Sequence, residues 1–500
     1  MRESRARHTT EQLDPRFRGD DDVLFNISNE VLMKQILFIL VAGLVASPAC
    51  GQTNDPFPEP IEATEDVITV GFEDFAAIPD IDGEPARMMT MVDEPGTGRM
   101  FLSDMRGLLY SVSYDGQVAE YLNIDDERWE VSVESQSRER GFQSFAFHPQ
   151  FNEPGAPGFG KFYTWTDTDN TTPDPDFVSG GGDDSHDTVL LEWTASTPDA
   201  ATYDGDPPRE LARFEQPFGN HNAGHLAFNP TASPDDPDYG LLYMGVADGG
   251  SGGDPLDNAQ KLSSAFGKVF RIDPLGSDSQ NGEYGIPADN PFVGSAEDGT
   301  LGEIYAYGVR NPQRFGWDSE TGAMYLADIG QNIIEEVSPV TAGANLGWND
   351  WEGSMRFVSR SEVDDSDPRG DPDLTYPVAE FDQSDPILQP SCCAATGVHV
   401  YRDGDIDQLR DLLLFGDFPS GEIFYVSADD LPEGGQDPIR RVLLRGEDEE
   451  ARTVLELIQE TNRSQGREPA DRADMRFGTG PNGQLFILNK QDGTLRSLVP

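Results

Sequence analysis

Cysteine, histidine and basic side chains are all scarce in this chain. Its 500 residues include 3 cysteines and 6 histidines, and 35 lysines and arginines face 91 aspartates and glutamates. No Cys-x-x-Cys spacing occurs, which excludes zinc ribbons and thiol redox pairs of that pattern. A net charge of −56 repels phosphate backbones and anionic bilayers, and so removes nucleic acid and membrane surfaces as electrostatic partners. Gly249-Gly250-Ser251-Gly252-Gly253 is followed by no Gly-Lys-Ser/Thr, so it reads as a turn rather than a phosphate loop. Ser144 lacks the Gly-x-Ser-x-Gly elbow of a hydrolase nucleophile. The acidic stretches 167–187 and 361–373 lack the ligand spacing of an EF-hand and read as solvated loop insertions with some capacity to chelate calcium.

The N-terminal region is organised differently from the rest. Met33-Lys34 and the apolar run after it have the charged start and short hydrophobic core of a secretory signal over residues 33–49. That run is too short for a membrane span, and no other segment supplies about eighteen consecutive apolar residues. Residues 1–32 read as a mis-assigned start or a disordered extension. Ser47-Pro48-Ala49-Cys50 allows cleavage after Ala49 or lipidation of Cys50, so the expected location is periplasmic or extracellular, with an outer-membrane lipoprotein as the variant. Residues 50–66 form a Pro-rich linker, and 67–500 form the folded domain. Cys392 and Cys393 are adjacent, which fits either a vicinal disulfide or two buried free thiols.

In the folded region 52 glycines and 37 prolines belong to the whole chain and are spread rather than pooled, which predicts many turns between short strands. A glycine followed by an aliphatic and aromatic strand recurs six times, starting at Gly107, Gly160, Gly240, Gly322, Gly421 and Gly483. The copies lie 53 to 99 residues apart, more than one four-stranded blade needs, so the excess is assigned to loops. This pattern predicts an all-β propeller, with residues 67–70 closing the ring against the last blade.

Two segments combine chemistry with turn character. His221 sits in Asn220-His221-Asn222-Ala223-Gly224, where an imidazole can reach a cavity and act as a base. Arg310 and Asn311 sit in Gly308-Val309-Arg310-Asn311-Pro312-Gln313, able to hold an anionic, carbonyl-rich group. Together with residues 140–149, 267–274 and 327–332, Asn345-Leu346-Gly347-Trp348 and Leu414-Phe415-Gly416-Asp417-Phe418, they cover residues 70 to 497 in order. The chain resembles the glucose/sorbosone and soluble aldose dehydrogenases, six-bladed propellers that use pyrroloquinoline quinone (PQQ) and calcium.

The resemblance implies that an aldose is oxidised at C1 to the lactone, with electrons passed to an external acceptor, a cytochrome or a quinone. His221 falls on the general base, and Arg310 and Asn311 fall on PQQ contacts, Arg310 also stabilising charge on the quinone oxygen. Arg402 replaces a cofactor-binding lysine. Gly330 and Gln331 fall on carbonyl ligands of a calcium at the cofactor, and Glu336 and Leu346 on ligands of a second calcium. Departures are also present. Glu139 stands where PQQ enzymes place a glutamine, and the Arg-x-Arg clamp is missing from Ala473-Asp474-Met475-Arg476, which leaves Arg476 alone. These departures resemble the hedgehog-interacting-protein-like branch. They keep open a non-catalytic, calcium-stabilised propeller that binds carbohydrate or protein, and a calcium-dependent lactonase-type hydrolase.

Overall fold

A computed structural model describes residues 54–500, apart from 183–185, 223, 298 and 392. The expectations for residues 1–32, for the signal peptide at 33–49 and for Cys50 lie outside the described residues, as does Cys392. Cys393 is disulfide-bonded, which sets aside the free-thiol alternative for that residue.

The fold is all-β, built from antiparallel groups of four strands. The first group is Met88–Glu94, Arg99–Asp104, Leu108–Ser113 and Val118–Asn123; the second is Phe142–Phe147, Lys161–Thr168, Asp187–Thr194 and Arg209–Glu215. The third is Leu226–Phe228, Leu242–Val246, Lys268–Ile272 and Ile304–Tyr307; the fourth is Pro312–Trp317, Met324–Asp328, Ile334–Val340 and Ala379–Asp382. A larger sheet follows. It runs from Ala395–Tyr401 through Leu412–Asp417 and Ile423–Ser427 to Arg440–Arg445, then crosses to Ile68–Ala77, Thr494–Val499, Leu485–Leu488 and Arg476–Thr479. The crossing is parallel, Ile68 to Gly71 lying beside Val442 to Arg445, while Gly71 to Ala77 pair antiparallel with the chain end. The expected closing strand is therefore present, but residues 68–71 hold the neighbouring strand and 71–77 make the terminal pairing.

Successive groups touch in a cycle: Met88–Glu94 meets Phe142–Phe147, which meets Leu226–Phe228; Leu242–Val246 of that third group meets Pro312–Trp317, and Ala395–Tyr401 and Arg476–Thr479 carry the contacts back to Met88–Glu94. The apolar side chains explain why. Sheets covered on both faces are buried along almost their whole length, as in Phe142–Phe147. A hydrophobic layer separates each group from the next, for example Trp165 and Phe214, 5.0 Å apart, packed against Phe270 of the following group. Each such large side chain contributes about 1.5–3 kcal/mol on burial.

All six repeat glycines have positive φ, between 73° and 108°, and stand in turns just before a strand. The repeat is thus a hairpin-turn signal, since an L side chain is strained in that region. The turns are not equivalent: Gly107 and Gly421 precede third strands, and the other four precede second strands.

Two loop expectations need correction. Residues 54–66 do not hang free as a linker: Ile61 is 3% exposed and its N–H donates to Asp385 (2.7 Å), while Gln436 Nε2 donates to the Glu59 carbonyl (2.7 Å). The 167–187 stretch is likewise anchored, because Phe177 stacks on Phe214 (4.6 Å) and Asp167 is buried within a strand. Among the described residues no helix is long and apolar enough to cross a membrane. The α-helix Val454–Ser464 is capped by a Thr453/Glu456 box and buries Val454, Leu457 and Ile458 against Ala473 and Met475. Its Asn462 accepts from the Ala470 N–H (3.0 Å), and Gln459 donates to the Ala470 carbonyl (2.9 Å), which fixes the segment leading to Arg472 and Arg476.

Candidate active site

In an up-and-down sheet, the loops entering first strands and the turns between second and third strands share one end. Glu139, His221, Arg310 and Arg472 lie on such entering loops, and Asp248, Gly330, Phe418 and Lys490 on such turns. A cavity of about 420 Å³ at this end is lined by His221, Arg310, Asn311, Gly330, Gln331 and Arg476, among others. Six of the candidate residues are therefore gathered from loops far apart in sequence.

His221 adopts the left-handed region, φ 54°, in the turn before Leu226–Phe228. Its N–H donates to Glu139 (2.8 Å), so Glu139 grips the backbone of the turn rather than the ring. Arg310 Nη2 lies 3.0 Å from His221 Nε2, and Asp248 Oδ1 lies 2.7 Å from His221 Nδ1. Guanidinium only donates, so Nε2 is the accepting nitrogen and Nδ1 carries the hydrogen that Asp248 receives. Asp248 also accepts from Trp348 Nε1 (2.9 Å) and the Gly250 N–H (2.9 Å). Burial opposes its charge, but His221, Arg310 and the Gly250 N–H together hold its carboxyl below the usual range. This Asp248–His221–Arg310 line was not foreseen. Trp348 lay within a quoted motif, but only the fold brings it to Asp248.

Arg310 is fixed through its backbone, its N–H donating to Asp328 (2.7 Å) and the Asn311 N–H donating to the same carboxylate (2.6 Å). Its Nη1 donates to the Ile329 carbonyl (2.8 Å), while Nε is buried with no partner. Arg476, 3% exposed, also has a buried Nε without a partner, and its guanidinium lies 4.3 Å from the Phe418 ring centre. Burial first, then the nearby Arg314, pushes the Arg476 guanidinium well below its ordinary range. Both arginines are thus desolvated donors with capacity to spare.

The absent Arg-x-Arg clamp has a spatial counterpart. Arg472 and Arg476 both line the cavity around Phe418, while Ala473 and Met475 are fully buried in the core beneath the helix. Two guanidiniums therefore stand at the cavity beside Phe418. Reinstating arginine at the old positions would put a charge in the core: Met475→Arg is expected to destabilise the fold by about 3 kcal/mol or more, read as a lower urea midpoint.

Arg402 does not reach this cavity. The strand Ala395–Tyr401 begins at the cavity and ends at the opposite face, where Arg402 pairs with Asp318 (2.9 Å), Asp411 (2.9 Å) and Asp429 (2.6 Å). It is a structural ion pair, and the cofactor assignment is withdrawn.

The turn after Met324–Asp328 wraps around Glu352, whose Oε1 accepts the N–H groups of Gln331 (2.8 Å), Asn332 (3.1 Å), Ile333 (2.9 Å) and Ile334 (3.0 Å). In a trans peptide C=O and N–H point oppositely, so the Gly330 and Gln331 carbonyls face away from Glu352. Glu336 and Leu346 do not line the cavity: Glu336 accepts from Ser338 Oγ (3.1 Å), and the Leu346 N–H donates to the Tyr307 carbonyl (2.9 Å). Among the described residues no group of three or more His, Cys, Asp or Glu is arranged to hold a metal ion.

Buried carboxyls surround this turn. Burial pushes Glu335 up to about 8 and Asp417 up to about 6, and raises Glu336 further through its neighbours Asp328 and Glu380. Glu335 accepts from the Ala395 N–H (2.6 Å) and Gly330 N–H (3.2 Å), and so ties the turn to the next inner strand. A carboxyl whose pKa is raised on folding binds its proton more tightly in the native state, so stability falls as pH rises from the unfolded value through the folded one. The melting temperature is expected to decline from pH 5 to about 8, and Glu335→Gln to flatten that decline.

The model of the family described as Glucose / Sorbosone dehydrogenase matches residues 84–455. The HIPL1 protein of Arabidopsis thaliana is 30% identical over 349 residues, covering 63% of this chain and 48% of that protein. Hedgehog-interacting protein of Homo sapiens is 27% identical over 221 residues, 44% of this chain and 28% of that one. The chain thus spans about half or less of the length of these relatives. The soluble aldose sugar dehydrogenase of Escherichia coli, in its apo form, superposes with a TM-score of 0.56 at 18% identity, covering 86% of this chain and 99% of that one, a likeness of fold. With the family's own model matched over most of the folded region, the chain belongs to the glucose/sorbosone dehydrogenase family.

Proposed function

We propose that this chain is a six-bladed propeller that oxidises an aldose at C1 to its lactone, holding PQQ and calcium in the cavity and passing electrons to an external cytochrome or quinone. The blade count is supported by the cycle of contacts between successive groups and by one antiparallel four-strand group for each repeat glycine. Export across the inner membrane belongs to the same reading. The observation that carries the activity is the line from Asp248 through His221 to Arg310 at the cavity wall.

The cavity fits a polyanionic quinone. The unpartnered Nε atoms of Arg310 and Arg476, with Arg472 beside them, offer charge-assisted donors to carboxylates and carbonyl oxygens. The Gly330 and Gln331 carbonyls suit a calcium ion, which takes oxygen ligands from the backbone. Glu336 and Leu346 share no such geometry, and no second calcium is proposed. PQQ, when bound, supplies the two-electron oxidant that receives hydride from C1. Asp248 holds the His221 ring with Nε2 toward the cavity and stabilises the imidazolium formed when Nε2 takes the sugar hydroxyl proton. Arg310 occupies that lone pair, and an anion drawing the guanidinium aside would free it.

The same Arg310–His221 contact favours a second reading, a propeller that binds carbohydrate or protein without turnover, because the base is capped. Titrating purified protein with PQQ and calcium, then assaying dye reduction over a sugar panel, separates the two. The dehydrogenase reading expects an absorbance change and sugar-dependent dye reduction. Binding of sugars with neither signal at saturating PQQ establishes the second reading instead.

A further inference from the structure

A larger cavity, about 1000 Å³, adjoins the first, and the two share Arg138, Phe418 and Arg472 in their walls. Its size is at the upper end for small-molecule sites, about 300–1,000 Å³, so it has room for more than one sugar unit. Its charge is opposite in balance to the rest of the molecule. Arg87, Arg106, Arg138, Arg467, Arg472 and Lys490 line it against Glu84, Glu468, Asp471 and Asp474, six basic to four acidic, whereas the chain as a whole has 35 basic and 91 acidic residues.

Three of these cations have no carboxylate partner. Arg106 pairs with Asp104, Arg467 with Asp80 and Arg472 with Asp474. Arg87 instead donates to the carbonyls of Ser135 (2.9 Å) and Ser137 (2.6 Å), and Lys490 to the carbonyl of Arg138 (3.0 Å). Arg138 is exposed and makes no ion pair among the described residues. In a protein with this many carboxylates, two guanidiniums and the Lys490 amine facing one cavity without an ion-paired carboxylate are a local reversal of the field, and such a funnel concentrates anions; burial, then Arg476, holds Lys490 well below its ordinary range, which an incoming carboxylate opposes.

We infer that the larger cavity is the entry subsite for an acidic oligosaccharide, one whose hexuronate carboxylates are held by Arg87, Arg138 and Lys490 while its reducing end reaches toward His221. The inference rests on the proposed sugar-oxidising reading for the saccharide nature of the ligand and for the direction of its reducing end. Arg310, Arg472 and Arg476 remain available in the inner cavity for the quinone.

The test is calorimetric titration of the full chain with the α-1,4-galacturonate trimer and with its fully methyl-esterified form, which has the same skeleton and no charge. The acid is expected to bind at least tenfold more tightly, with affinity falling as salt rises. Arg138→Gln, at an exposed position that leaves the core untouched, is expected to weaken the acid roughly tenfold and the ester not at all. Equal binding of acid and ester, or an Arg138→Gln variant that binds the acid as well as the parent, overturns the inference. Acid binding with no dye reduction supports the subsite and overturns the dehydrogenase reading. Dye reduction with neutral aldoses and no preference for the acid does the reverse.

Discussion

His221→Ala is expected to lower kcat by about 10²- to 10⁴-fold, the contribution of a positioned general base, while PQQ still perturbs the absorbance spectrum on binding. The separation follows from geometry. The ring faces Asp248 on one side and the cavity on the other, whereas the cationic cradle around Phe418 is built on a different loop. Asp248→Asn is a sharper probe. Both of its oxygens accept, Oδ1 from His221 and Gly250 and Oδ2 from Trp348, and an amide cannot accept at both positions. The NH2 group must confront either the indole N–H or the imidazole N–H, and either way the carboxylate charge that stabilises the imidazolium is gone. A shifted pH profile of kcat at unchanged PQQ affinity identifies that loss; an unchanged profile shows that His221 is not the base.

The second large effect concerns the cationic pair beside Phe418. Arg472→Ala and Arg476→Ala are each expected to cost about 1.5–3 kcal/mol of PQQ affinity, roughly tenfold to 150-fold in Kd. Arg402→Ala is the matched control: it lies at the other face, bound to Asp318, Asp411 and Asp429, and is expected to lower the melting temperature without changing Kd. Equal loss of affinity in all three variants would show a general electrostatic effect rather than a cradle.

The sequence made the fold legible where local rules govern. The repeat glycines marked hairpin turns because positive φ leaves few alternatives to glycine. His221 and Arg310 were legible because each stands in a distinctive turn, whereas Gly330 came from the family resemblance alone. Arg402 was misplaced for a physical reason: a basic residue at the end of an inner strand looks the same in sequence whichever mouth of the channel it exits. Arg472 was overlooked because register decides which of several neighbouring side chains points inward, and that register is fixed by the helix Val454–Ser464 and its bonds to Ala470. Asp248 escaped notice because its partners, His221 and Trp348, come from different sheets. The packing of residues 54–66 depends on Asp385 and Gln436, contacts that composition does not register.

The pairing of Gly71 with Val499 also sets the order in which the molecule can be made. Residues 68–71 can pair once Val442–Arg445 have been made, whereas residues 71–77 find their partner only after Thr494–Val499 have left the ribosome, so the earlier sheets can form before that pairing. Joining residues 71–77 to Thr494–Val499 is a very long loop closure, slow by its chain entropy. Until then residues 71–77 keep an open edge, which is the state a chaperone or protease would meet. Removing residues 494–499 is therefore expected to prolong exposure of that edge far more than their small share of the chain suggests.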